Sequence, residues 1–346
     1  MTNTASTFTQ SRWSLQDLFP QAPGPELETV FTQLQEEAAA FEKVRPELRP
    51  DLPVETFLEY IRLLEKINDQ AYRLSSYAVL WFSEDTQNQA AQVLMARMEQ
   101  FGSELSNRLL FFGLWWKDLP EEDAQRLMAA SGDYRYWLEE MRHFKPYTLS
   151  EPEEKVINIK SVTGASALNM LYDSITNRYT FKLTVDGQES ELTRGELMIY
   201  VRHHDPQLRA AAYQELYRVF GNDSPILGQI YQTLIRDWRN EQVGLRGFAN
   251  PIAARNLGND IPDDVVQTLL QVCQQNVGVF QRFFRLKARW LGMERLRRYD
   301  IYAPVAKSDK QYSYQQAAEM VLDSFGSFDP QLVGLIQRVF NEQHLD

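Results

Sequence analysis

From Val54 onward the apolar residues return every three or four positions: Phe57, Leu58, Ile61, Leu64, Ile67, Ala71, Leu74 and Ala78. At about 3.6 residues per turn that spacing lines them along one face of a single long helix. A helix with one apolar stripe needs other apolar surface against it, so the run predicts packed helical layers. A second stripe follows through Val93, Leu94, Met98, Phe101, Leu105 and Leu109. A third runs from Val266 through Leu269, Leu270, Cys273, Val277, Phe280, Phe284 and Ala288 to Leu291, and predicts one continuous helix. Asn259, Asp260 and Pro262 mark its start, with Asp263 and Asp264 in the first turn facing the positive end of the helix dipole. Gly292 marks its end. Cys273, on the apolar face, is expected to be a buried, inert thiol.

The same grammar predicts helices near Pro25–Lys43, Glu121–Ala130, Tyr134–Phe144, Glu151–Tyr172, Thr193–Val201, Pro206–Phe220, Pro225–Gly247, Tyr314–Phe325 and Asp329–Asn341. Ser150 with Glu153 reads as a capping box, and Asp329 opens DPQLVGL. One segment departs from the pattern. In RYTFKLTVDGQESELT two runs rich in Thr, Tyr, Phe and Val flank Asp186-Gly187, a strong hairpin signal. Strands are predicted at Tyr179–Val185 and Gln188–Leu192. The fold class is therefore all-α with one β-hairpin inserted near 178–192. No period of 20–50 residues repeats, so a regular solenoid is not expected. The expected division falls at the hairpin, into 1–188 and 189–346. RYDIYAPV, Arg298 to Val305, fits neither neighbouring helix and is expected to be an extended connector.

Charge and composition exclude several classes. The formal net charge is -11, which disfavours nucleic-acid and anionic-membrane partners, since both require clustered Lys and Arg. A single cysteine excludes an internal disulfide framework and fits a reducing compartment. No secretory leader or membrane-spanning run of eighteen apolar residues is read, which leads to the expectation of a cytoplasmic protein.

Catalytic chemistry is sparse. The four histidines, His143, His203, His204 and His344, include no H-E-x-x-H arrangement. His203-His204-Asp205 is tempting as a metal cluster, but adjacent side chains of a helix point about 100° apart, and a surface or capping role is expected. His143 closes a helix, where a cation suits the dipole. Glu139-Glu140 and Glu151 with Glu153-Glu154 could supply acid/base pairs, although first-turn acids usually serve the dipole. GLRGFAN has the wrong spacing for a phosphate loop. No catalytic residue and no metal ligand is assigned, and substrate-binding residues are left open.

Five stretches in order resemble one family: LSEPEEKVINIKSVTGASALNMLYDSITNRYTFKL, LTRGELMIYVRHHDPQLRAAAYQELYRVF, GLRGFANPIAARNLGNDIPDDVVQTLLQVCQQNVGVFQRFFRLKARWLG, RYDIYAPV, and YSYQQAAEMVL with FDP. Over Leu149–Pro330 they resemble the N-terminal half of oligoendopeptidase F, of the thimet-type zinc metallopeptidases. Residues before Leu149 resemble it more loosely, through the WSLQDL start and the successive long helices. The resemblance implies a zinc endopeptidase acting on short unfolded peptides in a helical channel, of which this chain forms one wall. It implies 1–188 as an N-terminal helical region and 189–346 as the first, non-catalytic part of the peptidase domain. The family's zinc ligands and general-base Glu belong to a later H-E-x-x-H stretch, so none is carried onto these residues. The expectation is zinc in the full-length parent and none in this chain, which alone would be inactive. Short peptides and the missing C-terminal half are its expected partners. The alternative is a catalytically inactive helical scaffold that binds peptides or a partner.

Overall fold

The computed structural model describes residues 8–20, 22–306 and 310–345. Residues 1–7, which open the N-terminal segment searched for a leader, lie outside that set. In chain order the helices are α1 (Pro25–Glu42), α2 (Val54–Glu84), α3 (Gln89–Asp118), α4 (Glu121–Ala129), α5 (Arg135–His143), α6 (Glu151–Ser161) and α7 (Ala167–Thr176). The hairpin strands β1 (Phe181–Val185) and β2 (Gln188–Leu192) come next. Then follow α8 (Arg194–Val201), α9 (Pro206–Asn222), α10 (Ser224–Arg239), α11 (Pro251–Gly258), α12 (Asp263–Gln275), α13 (Val277–Trp290), α14 (Tyr314–Phe328) and α15 (Pro330–Asn341). The chain is thus helical apart from one two-stranded antiparallel sheet, as its periodicity predicts.

Two compact units result. The first comprises Met1–Pro46, Glu55–Arg108 and Ser308–Asp346; the second comprises Glu47–Val54 and Leu109–Lys307.

In the first unit the predicted stripes form the core. Phe57, Ile61, Leu64, Ile67, Leu74 and Ala78 of α2 are all buried. So are Leu94, Met98, Phe101 and Leu105 of α3, whereas Val93, one step around that helix, is exposed. Phe31 of α1 meets Phe101 edge-on at 4.9 Å. Arg97 lies 3.9 Å over the same Phe31 ring and grips Glu28 with both terminal nitrogens. The segment before α1 ties distant parts of this unit together. Phe19 packs edge-on to Tyr77 at 5.5 Å, and Phe8 sits 5.2 Å from Phe340 of α15.

In the second unit the hairpin behaves as its sequence demands. Asp186 and Gly187 occupy a two-residue turn with φ 52° and 80°, the double positive-φ turn whose twist matches antiparallel strands. Val185 pairs with Gln188 and Phe181 with Leu192. Phe181 and Leu183 are buried against Leu197, Val201, Ala212 and Val219 of α8 and α9, while Lys182 and Thr184 face water. The first strand begins at Phe181, not Tyr179. Tyr179 instead donates its hydroxyl to Asp223 at 2.7 Å.

Four expectations need correction. The third stripe is two helices, because Asn276 leaves helical geometry at φ -100° and ψ 8° and its side-chain amide bonds back to the Val272 carbonyl. Its apolar face is not buried, and Cys273 is exposed. RYDIYAPV is no extended connector: Arg298–Asp300 close a 3₁₀ turn, drawn in by a buried carboxylate described below. The expected helix Glu151–Tyr172 is interrupted by a π-helical segment at Val162–Ser166, and α10 ends in a second one, Asn240–Leu245.

Candidate functional site

The chemistry-bearing residues singled out in the sequence do not converge. His143 ends α5. His203 and His204 lie between α8 and α9 with ring centroids 4.1 Å apart. The Asp205 amide donates to His203 Nδ1 at 3.1 Å, and the Asp205 carboxylate caps α9 by accepting from the Gln207 amide. Burial lowers the His203 pKa, with neighbouring His204 adding to it. Both residues therefore serve the helix junction, in the capping role expected of them.

The carboxylates are likewise engaged. Glu153 completes the capping box with Ser150. Glu151 pairs with Lys155 one turn on at 2.7 Å. Glu154 is buried against Arg246, whose two terminal nitrogens approach its oxygens at 2.7 and 2.8 Å. Burial alone would raise the Glu154 pKa, but the Arg246 hydrogen bonds outweigh it and hold the carboxyl below its ordinary value. Beside them Tyr147 stacks on Phe248 at 3.6 Å. Across α5, loss of water contact and the neighbouring Asp260 push the Glu140 carboxyl up; Asp260 itself takes a hydrogen bond from the Tyr136 hydroxyl.

One group among the described residues has the geometry of a metal cluster: Asp17, Glu342 and His344, whose ligating atoms lie within 4.8 Å of one another. A cation already occupies its centre. Arg338 reaches Glu342 at 2.7 Å and Asp17 at 3.3 Å, while His344 Nε2 stands 3.1 Å from Asp17. The Asp17 pKa is lowered, chiefly by its hydrogen-bonded neighbour Glu342 and then by His344 and Arg338. Nothing here is left for a divalent ion to neutralise. The cluster pins the N-terminal segment to the end of α15, aided by the Ser14 amide on the Gln343 carbonyl at 2.7 Å.

The most densely built polar centre was missed by sequence reasoning. Asp300 is fully buried. It accepts from Arg209 Nη2 at 2.8 Å and Nε at 3.3 Å through one oxygen. Through the other it accepts from Arg297 Nε at 2.9 Å and the Arg297 amide at 3.0 Å. Burial would raise its pKa, but the Arg297 and Arg209 hydrogen bonds win and keep it lowered. Arg209, itself 1% exposed, spends its remaining nitrogen on the carbonyls of His203 and His204 at 2.7 and 2.8 Å. Lys287 donates to the Ile301 carbonyl at 2.6 Å, and burial depresses its pKa. Three cations thus fold the connector onto α9 and α13. A hint existed in the sequence, a carboxylate set among Tyr299, Ile301 and Tyr302, but its arginine partner lies 91 positions away.

Comparison with known proteins adds what this geometry lacks. Residues 115–181 match the family described as Oligopeptidase F, and residues 199–341 match peptidase family M3. Group B oligopeptidase PepB of Streptococcus agalactiae is 24% identical over 300 residues, covering 84% of this chain and 48% of that protein. Oligopeptidase PepF of Bacillus subtilis is 20% identical over 346 residues, covering 97% and 50%. The crystal structure of an oligoendopeptidase-F from Enterococcus faecium superposes with a TM-score of 0.71 at 21% identity, covering 92% of this chain and 66% of that one. The chain spans about half the length of the curated relatives it matches.

Proposed function

Because the chain belongs to peptidase family M3, in its oligoendopeptidase F branch, we propose that it is the N-terminal portion of a zinc-dependent oligoendopeptidase, forming one wall of a channel that admits short unfolded peptides. The observation that carries this reading is the pair of family matches, consecutive and in order along one helical chain. The hairpin marks the boundary in the proposal: 1–188 is the N-terminal helical region, and 189–346 begins the peptidase domain. Cytoplasmic location belongs to the same reading; no described helix is long and apolar enough to cross a membrane.

The residues present do not fit a catalytic zinc. Such an ion needs three converging protein ligands and an open position. The four histidines lie apart, and the one acidic cluster is neutralised by Arg338. No hydrolytic step is assigned to this chain's side chains. Its contribution is shape: long helices with buried stripes that hold a wall in place.

The test is direct. The chain alone, incubated with zinc and a fluorogenic peptide, is expected to retain no stoichiometric zinc and to show no chelator-sensitive cleavage. The coding frame of the intact protein is expected to carry an H-E-x-x-H stretch. A frame without that motif, together with peptide binding that is tight and non-hydrolytic, would replace this reading with the inactive scaffold.

A further inference from the structure

α12 buries none of its 13 residues, although Val266, Leu269, Leu270 and Cys273 recur along it at helical spacing. α13 buries only Lys287 and Ala288. Leu269, Leu270, Phe280 and Trp290 are each more than half exposed, at 61%, 57%, 56% and 54%. Single exposed apolar side chains are ordinary, but a continuous face of aliphatic and aromatic groups on two successive helices marks an interface.

A row of cations borders this face. Arg282, Arg285 and Arg289 succeed one another at three and four residues, so they share one side of α13. Arg295 follows, and all four are exposed. None of them is in an ion pair among the described residues. From Val277 to Asp300 the sequence holds seven Lys or Arg against two Asp or Glu, a net of +5 within a chain of net -11. An acidic protein that gathers unpaired arginines beside bare aromatics is built to meet carboxylates and apolar groups together.

We propose that α12 and α13 form the docking surface for the C-terminal half of an M3 peptidase, which presents to them an apolar patch flanked by carboxylates. The proposal rests on the reading of this chain as an N-terminal portion. Relatives that share its sequence are about twice as long, and the E. faecium structure that shares its fold carries additional chain. That additional polypeptide supplies a partner of the size such a face requires.

The experiment mixes the full chain with the separately expressed part of S. agalactiae PepB that lies beyond its match to this chain. Cys273 is the only cysteine in the sequence, so its rate of maleimide labelling reports directly on whether the face is covered. A one-to-one complex is expected by sedimentation, with labelling slowed about tenfold or more, as burial of a thiol demands. The triple variant R282E/R285E/R289E should keep the circular dichroism melt of the parent chain and weaken association by about tenfold or more, because like charges replace complementary ones. Raising salt should weaken the parent complex and leave the variant's little changed.

A complex that forms with Cys273 labelling undiminished and with the variant binding as the parent does would overturn the proposal while leaving the functional reading intact. Absence of any complex overturns it too, as does protection of Cys273 by self-association of the chain. In each case the coding-frame test judges the functional reading separately.

Discussion

Replacing Asp300 with alanine removes the acceptor on which two arginines converge, one of them almost wholly buried. Breaking a buried ion pair by deleting one partner typically costs about 3–5 kcal/mol, because the other charge is left without compensation. The structure argues for the lower end. Arg209 keeps its bonds to the His203 and His204 carbonyls, and Arg297, at 46% side-chain exposure, can turn to water. About 3 kcal/mol is therefore expected, which for a unit of about 200 residues lowers the melting temperature by roughly 6–12 °C. Urea and thermal denaturation followed by circular dichroism would read the loss in the second unit. The paired variant Arg209→Met with Asp300→Leu is the control. It removes both buried charges, so it should recover more than half of the deficit. An Asp300→Ala loss below about 1 kcal/mol, or a paired variant no better than the single one, would refute the assignment of this centre as the clasp of the connector.

Two further expectations follow from the geometry. Gly187→Val forces a branched side chain into φ 80° and should cost about 1–2 kcal/mol, with loss of the ladder hydrogen bonds visible in amide exchange of β1 and β2. Glu154 has a folded pKa below its unfolded value, so its pairing with Arg246 contributes stability that is present above the ordinary carboxylate range and disappears as pH falls through the lowered folded value. Stability of Glu154→Gln relative to the parent should therefore be most reduced at neutral pH and converge with it in acid; a gap that persists unchanged at low pH would rule out the charged pair.

What the sequence determined by itself is whatever depends on neighbours a few residues away. The stripe of α2 was legible because helical period alone decides which residues share a face, and those residues are buried. The hairpin was legible because Asp186 and Gly187 tolerate the positive φ its turn needs. The Ser150 capping box and the Gly292 stop are equally local, and Gly292 has φ 67°. Tertiary structure decided the rest. Periodicity shows that a helix has an apolar side and does not say what lies opposite, so Cys273 was expected inside and is found in water. Leucines of the same kind are buried in α3 and bare in α12. The break at Asn276 turns on one residue's dihedrals within an unbroken apolar period. Asp300 is the sharpest case, since its burial is tolerable only because Arg209 arrives from 91 residues away. Burial is a relation between surfaces, and a carboxylate's environment is set by whichever distant side chains the fold delivers to it.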